Sequence, residues 1–303
     1  MSRGLLLLPL LAALLAACGK APPPAPAAPV ARATVAAAKT PPGLPEPHCP
    51  AKVDTALAGP DIVGLKIGMT AADALNAVRC RQPDAVLVFQ DRWIQQLNSY
   101  GLRLGHQTLE ARSGDHEPCG VKSFSDGLRC GEGGRVWKFV GESVFVATPG
   151  APGRETVQGI WRVQRFRDGE LPPADAVLKA LLDKYGAPQQ QQRDAAGNAY
   201  LYWVRDPQGQ PLAPARVAAC AGVQARGDAA QRWSEGCGMT VAAQLQAPRD
   251  NPALAREVHV GLLNQQQLID YGRRLQDELA ALDKARRAQE LDKAAQAAGG
   301  VKL

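Results

Sequence analysis

The chain reads as an α+β fold: helix-plus-antiparallel-sheet modules, two of them or one composite domain, with a long C-terminal helix. Three observations predict this. Short apolar runs of strand length recur from Val86 to Leu263. Pro173 to Tyr185 repeats its apolar residues at helical spacing. Gln265 to about Ala298 is a long stretch of helix formers with leucines at Leu268, Leu275, Leu279 and Leu282.

In chain order, Asp61 to Ile67 is a short strand or entry segment, and Gly68-Met69 leads into a helix. Thr70 followed by Asp73 has the spacing of a capped helix start, and Ala74, Leu75 and Val78 form its apolar face up to Cys80. Val86 to Phe89 reads as a strand. Gln90 to Gly134 is polar and glycine-containing, and gives no clear period. Arg135 to Phe139, Ser143 to Thr148 and Thr156 to Phe166 read as strands, the last two joined by a turn at Pro149 to Gly153. Val157, Trp161 and Val163 lie on one face of the third, Ile160 and Phe166 on the other, which predicts a strand central in its sheet.

The Pro173 to Tyr185 helix presents Val177, Leu178, Leu181, Leu182 and Tyr185 on one face and stops at Gly186, before Pro188. Tyr200 to Val204, Met239 to Leu245 and Glu257 to Leu263 are three further strands. The last helix is expected to pack along its first half and fray along its second; the other reading is a dimerising coiled coil or a partner-binding arm. The i, i+4 pairs Asp270 with Arg274 and Asp283 with Arg287 support it. Ala72-Asp73-Ala74-Leu75-Asn76-Ala77-Val78 echoes Ala174-Asp175-Ala176-Val177-Leu178-Lys179-Ala180-Leu181 with one residue gapped, as two helix-then-sheet modules would. The organisation is then 1–17 as a leader, 18–48 as a tether, 49–170 and 171–264 as the two modules, and 265–303 as the C-terminal helix and its tail.

Ahead of the folded part, Arg3 and the 13-residue apolar run Leu5 to Ala17 have the form of an export signal, too short for the roughly 20 residues of a spanning helix. Leu15-Ala16-Ala17-Cys18 then matches, position by position, the lipobox of the bacterial lipoprotein family, which this leader resembles. The resemblance implies a diacylglyceryl thioether on Cys18, cleavage before it and acylation, such as palmitate, of its new amine. Multiple chains on one residue anchor stably where a single chain does not. Gly19 is not the Asp that holds such proteins in the inner membrane of enteric bacteria, so the resemblance favours the outer membrane. From Lys20 to His48 nine prolines sit among small residues, with nothing to build a core. Such a stretch is a semi-rigid tether reaching at most roughly 90 Å.

About 235 residues remain for the folded part. Net charge is +6 over the whole chain, a mild bias with no block of five basic residues and no aromatic-plus-basic motif, so no nucleic-acid partner is expected. Besides Cys18 there are six cysteines: Cys49, Cys80, Cys119, Cys130, Cys220 and Cys237. An even count in an oxidising compartment reads as disulfides. Fifteen pairings are open, but Cys119 with Cys130 and Cys220 with Cys237 are close along the chain, which leaves Cys49 with Cys80. There is no C-x-x-C for redox exchange or a zinc knuckle.

Gly64-Leu65-Lys66-Ile67-Gly68-Met69-Thr70 is similar to the Gly-Met-Thr helix entry of the BamE/SmpA-like lipoproteins, small helix-plus-sheet proteins of outer-membrane assembly. The companion Leu-Gly-x-Pro is replaced by Cys80-Arg81-Gln82-Pro83. What the resemblance implies is protein binding by an α+β module.

Candidates for chemistry are sparse. Asp115-His116-Glu117 is the one dense titratable cluster, and His106 could join it as a zinc ligand; the simpler expectation is a solvated charged turn before Pro118-Cys119. Arg162, Arg165 and Arg167 could meet phosphate or an acidic edge, or form the polar rim of a sheet. No nucleophile elbow, H-E-x-x-H or phosphate loop occurs, and no cofactor is expected. The expectation is a membrane-held, non-catalytic envelope protein that binds another protein. Its alternatives are a hydrolase using the His116 loop and a binder of an anionic ligand through the Arg162 strand.

Overall fold

The computed structural model describes residues 43–51, 56–90, 98–118, 131–132, 135–227 and 231–298. The leader, Cys18, most of the tether, and Cys119 and Cys130 lie outside the described residues.

Helix α1 (Ala71–Arg81) starts where its cap is written: the Thr70 side chain accepts from the Asp73 amide and its hydroxyl donates to the Asp73 carboxylate at 2.7 Å. Ala74 and Val78 are its buried residues. Strands β1 (Val86–Gln90), β2 (Thr108–Pro118), β3 (Gly131–Glu132), β4 (Arg135–Ala147) and β5 (Gly159–Arg165) follow. After them come α2 (Ala174–Tyr185), β6 (Gln190–Arg193), β7 (Ala199–Val204), α3 (Pro214–Cys220), β8 (Met239–Gln246), β9 (Glu257–Asn264) and α4 (Gln265–Ala298). The fold is therefore α+β, with the long C-terminal helix expected from the sequence.

One antiparallel sheet runs β1-β2-β4-β5-β9-β8-β7-β6, with β3 paired to β4 off this path. Strand β5 is central, as its two apolar faces require: β4 lies on one side and β9 on the other, with Arg162 opposite Val260. Strands β1, β2, β4 and β5 form one meander and β6 to β9 another, each led by a helix. The two echo segments open these helices. The Ala71 amide donates to the Glu155 carbonyl and the Val157 amide to Met69; likewise Ala174 donates to Ala253, and Ala255 to Pro172, at 2.8 to 3.0 Å. Each helix is thus bracketed to the residues that lead into the last strand of its own meander, by the isolated bridges Thr70 to Thr156 and Pro173 to Leu254.

On one face of the sheet Ile160, Val146, Leu201, Leu245, Val260 and Leu262 pack against α1, α2 and the entry residues Ile62, Leu65 and Ile67. On the other face Trp161 is covered by Val223 and Ala225, and its Nε1 donates to the Gln224 carbonyl at 3.1 Å. The indole needs glycines beneath it: a Cβ on Gly159 or Gly261 would lie 2.4 and 2.7 Å from ring atoms. Helix α4 is held at its start, where Gln265 donates to Cys220 and Thr240 and accepts from Ser234. Leu275 and Leu279 then pack against Ala151, Tyr100, Leu102 and Leu104, while residues 284–297 are exposed.

Several expectations are corrected. The stretch without a period contains β2, whose polar end lies beyond the core and so carries no apolar alternation. Asp115, His116 and Glu117 are not in a turn: they pair in β2 with Val140, Phe139 and Lys138 of β4. Gly114 opposite Gly141 permits this, because a Cβ on Gly114 would lie 2.1 Å from the Val140 carbonyl oxygen. The two expected strands Arg135 to Phe139 and Ser143 to Thr148 are one strand, β4, continuous through that glycine pair. Leu182 is 37% exposed rather than on the buried face of α2, which is made by Ala174, Leu178 and Leu181. Asp283 pairs with Arg287 at 2.8 Å, whereas Asp270 meets Arg273 at 3.9 Å instead of Arg274. The disulfides Cys49–Cys80 and Cys220–Cys237 form as expected.

The two halves of α4 predict opposite responses to truncation. Leu279→Ala removes a fully buried side chain and should cost about 2–4 kcal/mol. Leu291→Ala, at a residue 72% exposed, should stay within about 0.5 kcal/mol. Urea denaturation of both variants measures this; equal costs would contradict a helix packed only along its first half.

Candidate functional site

A cleft of about 770 Å³ opens where α2, β7 and β8 end or begin against the entry segment. Its apolar lining is Leu57, Ile67, Tyr185, Trp203, Met239 and Val241, and its polar lining includes Lys184, Arg205, Asp206, Gln208, Asn264 and Gln267. Tyr185 is the last residue of α2, before the Gly186 cap at φ 79°, and Trp203 alternates inward on β7. Their ring centroids are 5.4 Å apart at 52°. Both polar tips are used away from the opening: Trp203 Nε1 donates to the Gly186 carbonyl at 2.8 Å, and the Tyr185 hydroxyl to the Asp61 carbonyl at 3.2 Å. Burial, with the Asp61 charge added and Arg162 opposing, raises the Tyr185 pKa above its ordinary value, so the phenol stays protonated.

The charges around the cleft are mostly spent. Lys184 Nζ lies 3.0 Å from Asp61 Oδ2, which also accepts from the Gly64 amide at 2.8 Å. Burial would raise Asp61, but the Gly64 amide and Lys184 outweigh it and hold the carboxyl below its ordinary value. Asp206 Oδ1 closes a turn by accepting from the Gln208 and Gln210 amides at 2.9 and 2.8 Å. Arg205 donates to the Gly209 carbonyl at 3.0 Å and has no carboxylate partner among the described residues.

At the end of α1 the corresponding space is filled differently. Arg81 occupies the place in α1 that Lys184 has in α2, counted from the bracketed residues Thr70 and Pro173. Beneath it is Glu142 of β4, bonded by Arg81 at 3.0 Å and also by Arg162 and Gln82. Burial raises the Glu142 pKa, but the Arg162 and Arg81 guanidiniums outweigh it and the net shift is downward.

Among the described side chains, the three arginines singled out from sequence do not converge. Arg162 bonds Glu142, Arg165 lies 3.5 Å from Glu257, and Arg167 bonds Asp115 at 2.8 Å. Arg162 and Arg165 are three positions apart on β5, so they leave the sheet on opposite faces. The His106 ring lies against Phe89, with centroids 4.9 Å apart and planes tilted by 33°. The side chains of His116 and Glu117 lie outside the described residues, and among the described residues no three His, Cys, Asp or Glu side chains are placed to hold a metal ion. His259 is fully buried, with Nε2 2.9 Å from Glu257 Oε2 and no partner for Nδ1.

Sequence reading missed the cleft. Tyr185 and Trp203 were visible as members of a helix face and a strand, but nothing local says that they meet. The Asp206-Pro207-Gln208-Gly209 turn was the one available signal, since it places Arg205 at a strand end. The chain matches no family model, no curated protein and no solved structure.

The Glu142 cluster predicts an acid limb of stability. A carboxylate held below its unfolded value stabilises the fold above that value, near 4.5, and loses the contribution as pH falls through its folded pKa. Stability measured by urea at successive pH values should therefore fall below about pH 4.5. Glu142→Gln should flatten that limb, and an unchanged slope would show that the cluster does not govern it.

Proposed function

We propose that the protein is an exported lipoprotein, anchored through acylated Cys18 with its folded part on the periplasmic side of the outer membrane, and that it acts by binding an envelope protein. The lipobox Leu15-Ala16-Ala17-Cys18 supports the anchor, and the proline-rich tether supports a body displaced from it. The observation that carries the binding reading is the cleft lining: ring faces, aliphatic groups and side-chain amides, with the Tyr185 hydroxyl, Lys184 and Asp206 all engaged in structural bonds. Such a surface suits recognition, because a binding site orients a ligand with a few polar groups around an apolar floor.

The test is fractionation followed by crosslinking in intact envelopes. The wild-type chain should label with palmitate and sediment with outer membranes, and Cys18→Ala should do neither. Crosslinking should then capture one recurrent envelope protein. Equal sedimentation of Cys18→Ala would remove the anchor from the reading. Hydrolytic activity in the purified protein, lost in His116→Ala, would replace binding with catalysis.

A further inference from the structure

We infer that the cleft between α2 and β7 takes the C-terminal end of a partner polypeptide, with the last residue's apolar side chain on the Trp203 floor and its α-carboxylate on Arg205. This rests on the reading of the cleft as a binding site and names the chemistry of its occupant.

The floor comes first. With the indole N–H and the phenol O–H both donated to backbone carbonyls, Trp203 and Tyr185 offer only ring surface, beside Ile67, Val241 and Met239. An apolar group is what such a surface desolvates favourably. The anion follows from charge. Lys184 is held by Asp61, and the Asp206 carboxylate is turned into its own turn amides, which leaves Arg205 as a lining cation without a carboxylate among the described residues.

Spacing ties the two together. Trp203 and Arg205 are alternate residues of one extended segment and project to the same side, about 7 Å apart along the chain. Only a ligand whose anion is within about one residue of its apolar group meets both, and a C-terminal residue carries its carboxylate on the same Cα as its side chain. The rim separates a peptide from a lipid. The side-chain amides of Gln208 and Gln267 border the opening without a protein partner among the described residues. A peptide backbone can bond them, whereas an acyl chain would leave them desolvated and unpaired. The volume lies within the range of about 300–1,000 Å³ of compact ligand sites, enough for a few residues.

The experiment is calorimetric titration of the full chain carrying Cys18→Ser, which needs no detergent. The probes are acetyl-Gly-Ala-Gly-Leu as free acid, the same peptide as its C-terminal amide, and decanoate. The free acid should bind about tenfold more tightly than the amide, the weight of one charge-assisted pair. Arg205→Gln, at an exposed residue whose loss should leave the circular dichroism spectrum unchanged, should abolish that preference. Equal binding of acid and amide, a preference that survives Arg205→Gln, stronger binding of decanoate than of either peptide, or no peptide binding up to millimolar concentration would each overturn the assignment. Capture of an envelope partner by the anchored protein would survive any of these results, so failure here is distinguishable from failure of the binding reading itself.

Discussion

The pairing of β5 with β9 is the constraint on which the rest of the structure depends. Seven residue pairs from Gly159 with Leu263 to Arg165 with Glu257 join two four-stranded meanders into one sheet. Without that ladder each meander would end in an open edge carrying Ile160 or Leu262, both now fully buried. The same ladder brings Trp161 opposite Gly261, where only the absence of a Cβ lets the indole lie flat under the Gln224 segment. Val223 to Ala225 cover that indole, and the disulfide-bonded Cys220 and Cys237 with Gly236 supply the carbonyls and the amide that seat Gln265 and Gln266 at the start of α4.

Joined in this way, the two halves carry helices in matching positions, bracketed by matching backbone bonds. Their difference lies in what was placed under each helix end. Glu142 draws Arg81, Arg162 and Gln82 into a half-buried cluster under α1, so that end is filled. Under α2 the strands present Val241 and Trp203, Lys184 turns aside to Asp61, and a cleft remains open. A carboxylate in one half and apolar groups in the other thus separate a filled helix end from an open one.

Legibility followed the range of the signal. The Thr70 cap, the Gly186 stop and the strand runs of β7, β8 and β9 are local patterns, and each element lies within a residue or two of its expected place. The central position of β5 was also readable, because apolar residues on both faces have no other home than mid-sheet. What failed was structure whose pattern is set by distant neighbours. The polar end of β2 is a strand because Gly114 meets Gly141 across the ladder, and the polar Gln190–Arg193 is a strand because β7 lies beside it. The arginines on and just after β5 looked like one group, yet strand alternation and the acids Glu142, Glu257 and Asp115 divide them.

By itself, the sequence determined the kind of fold this is: an α+β chain with paired cysteines, and helix starts and stops written in single residues. These follow from forces acting within a few residues, such as capping, fixed turn dihedrals and side-chain periodicity. The tertiary structure alone decided that two meanders share one sheet, and that Tyr185, Trp203 and Arg205 surround one opening. Those facts depend on register between strands far apart in the chain. A shift of one residue in a single ladder would carry Trp203 and Arg205 to the opposite face of the sheet, and no local pattern records that choice.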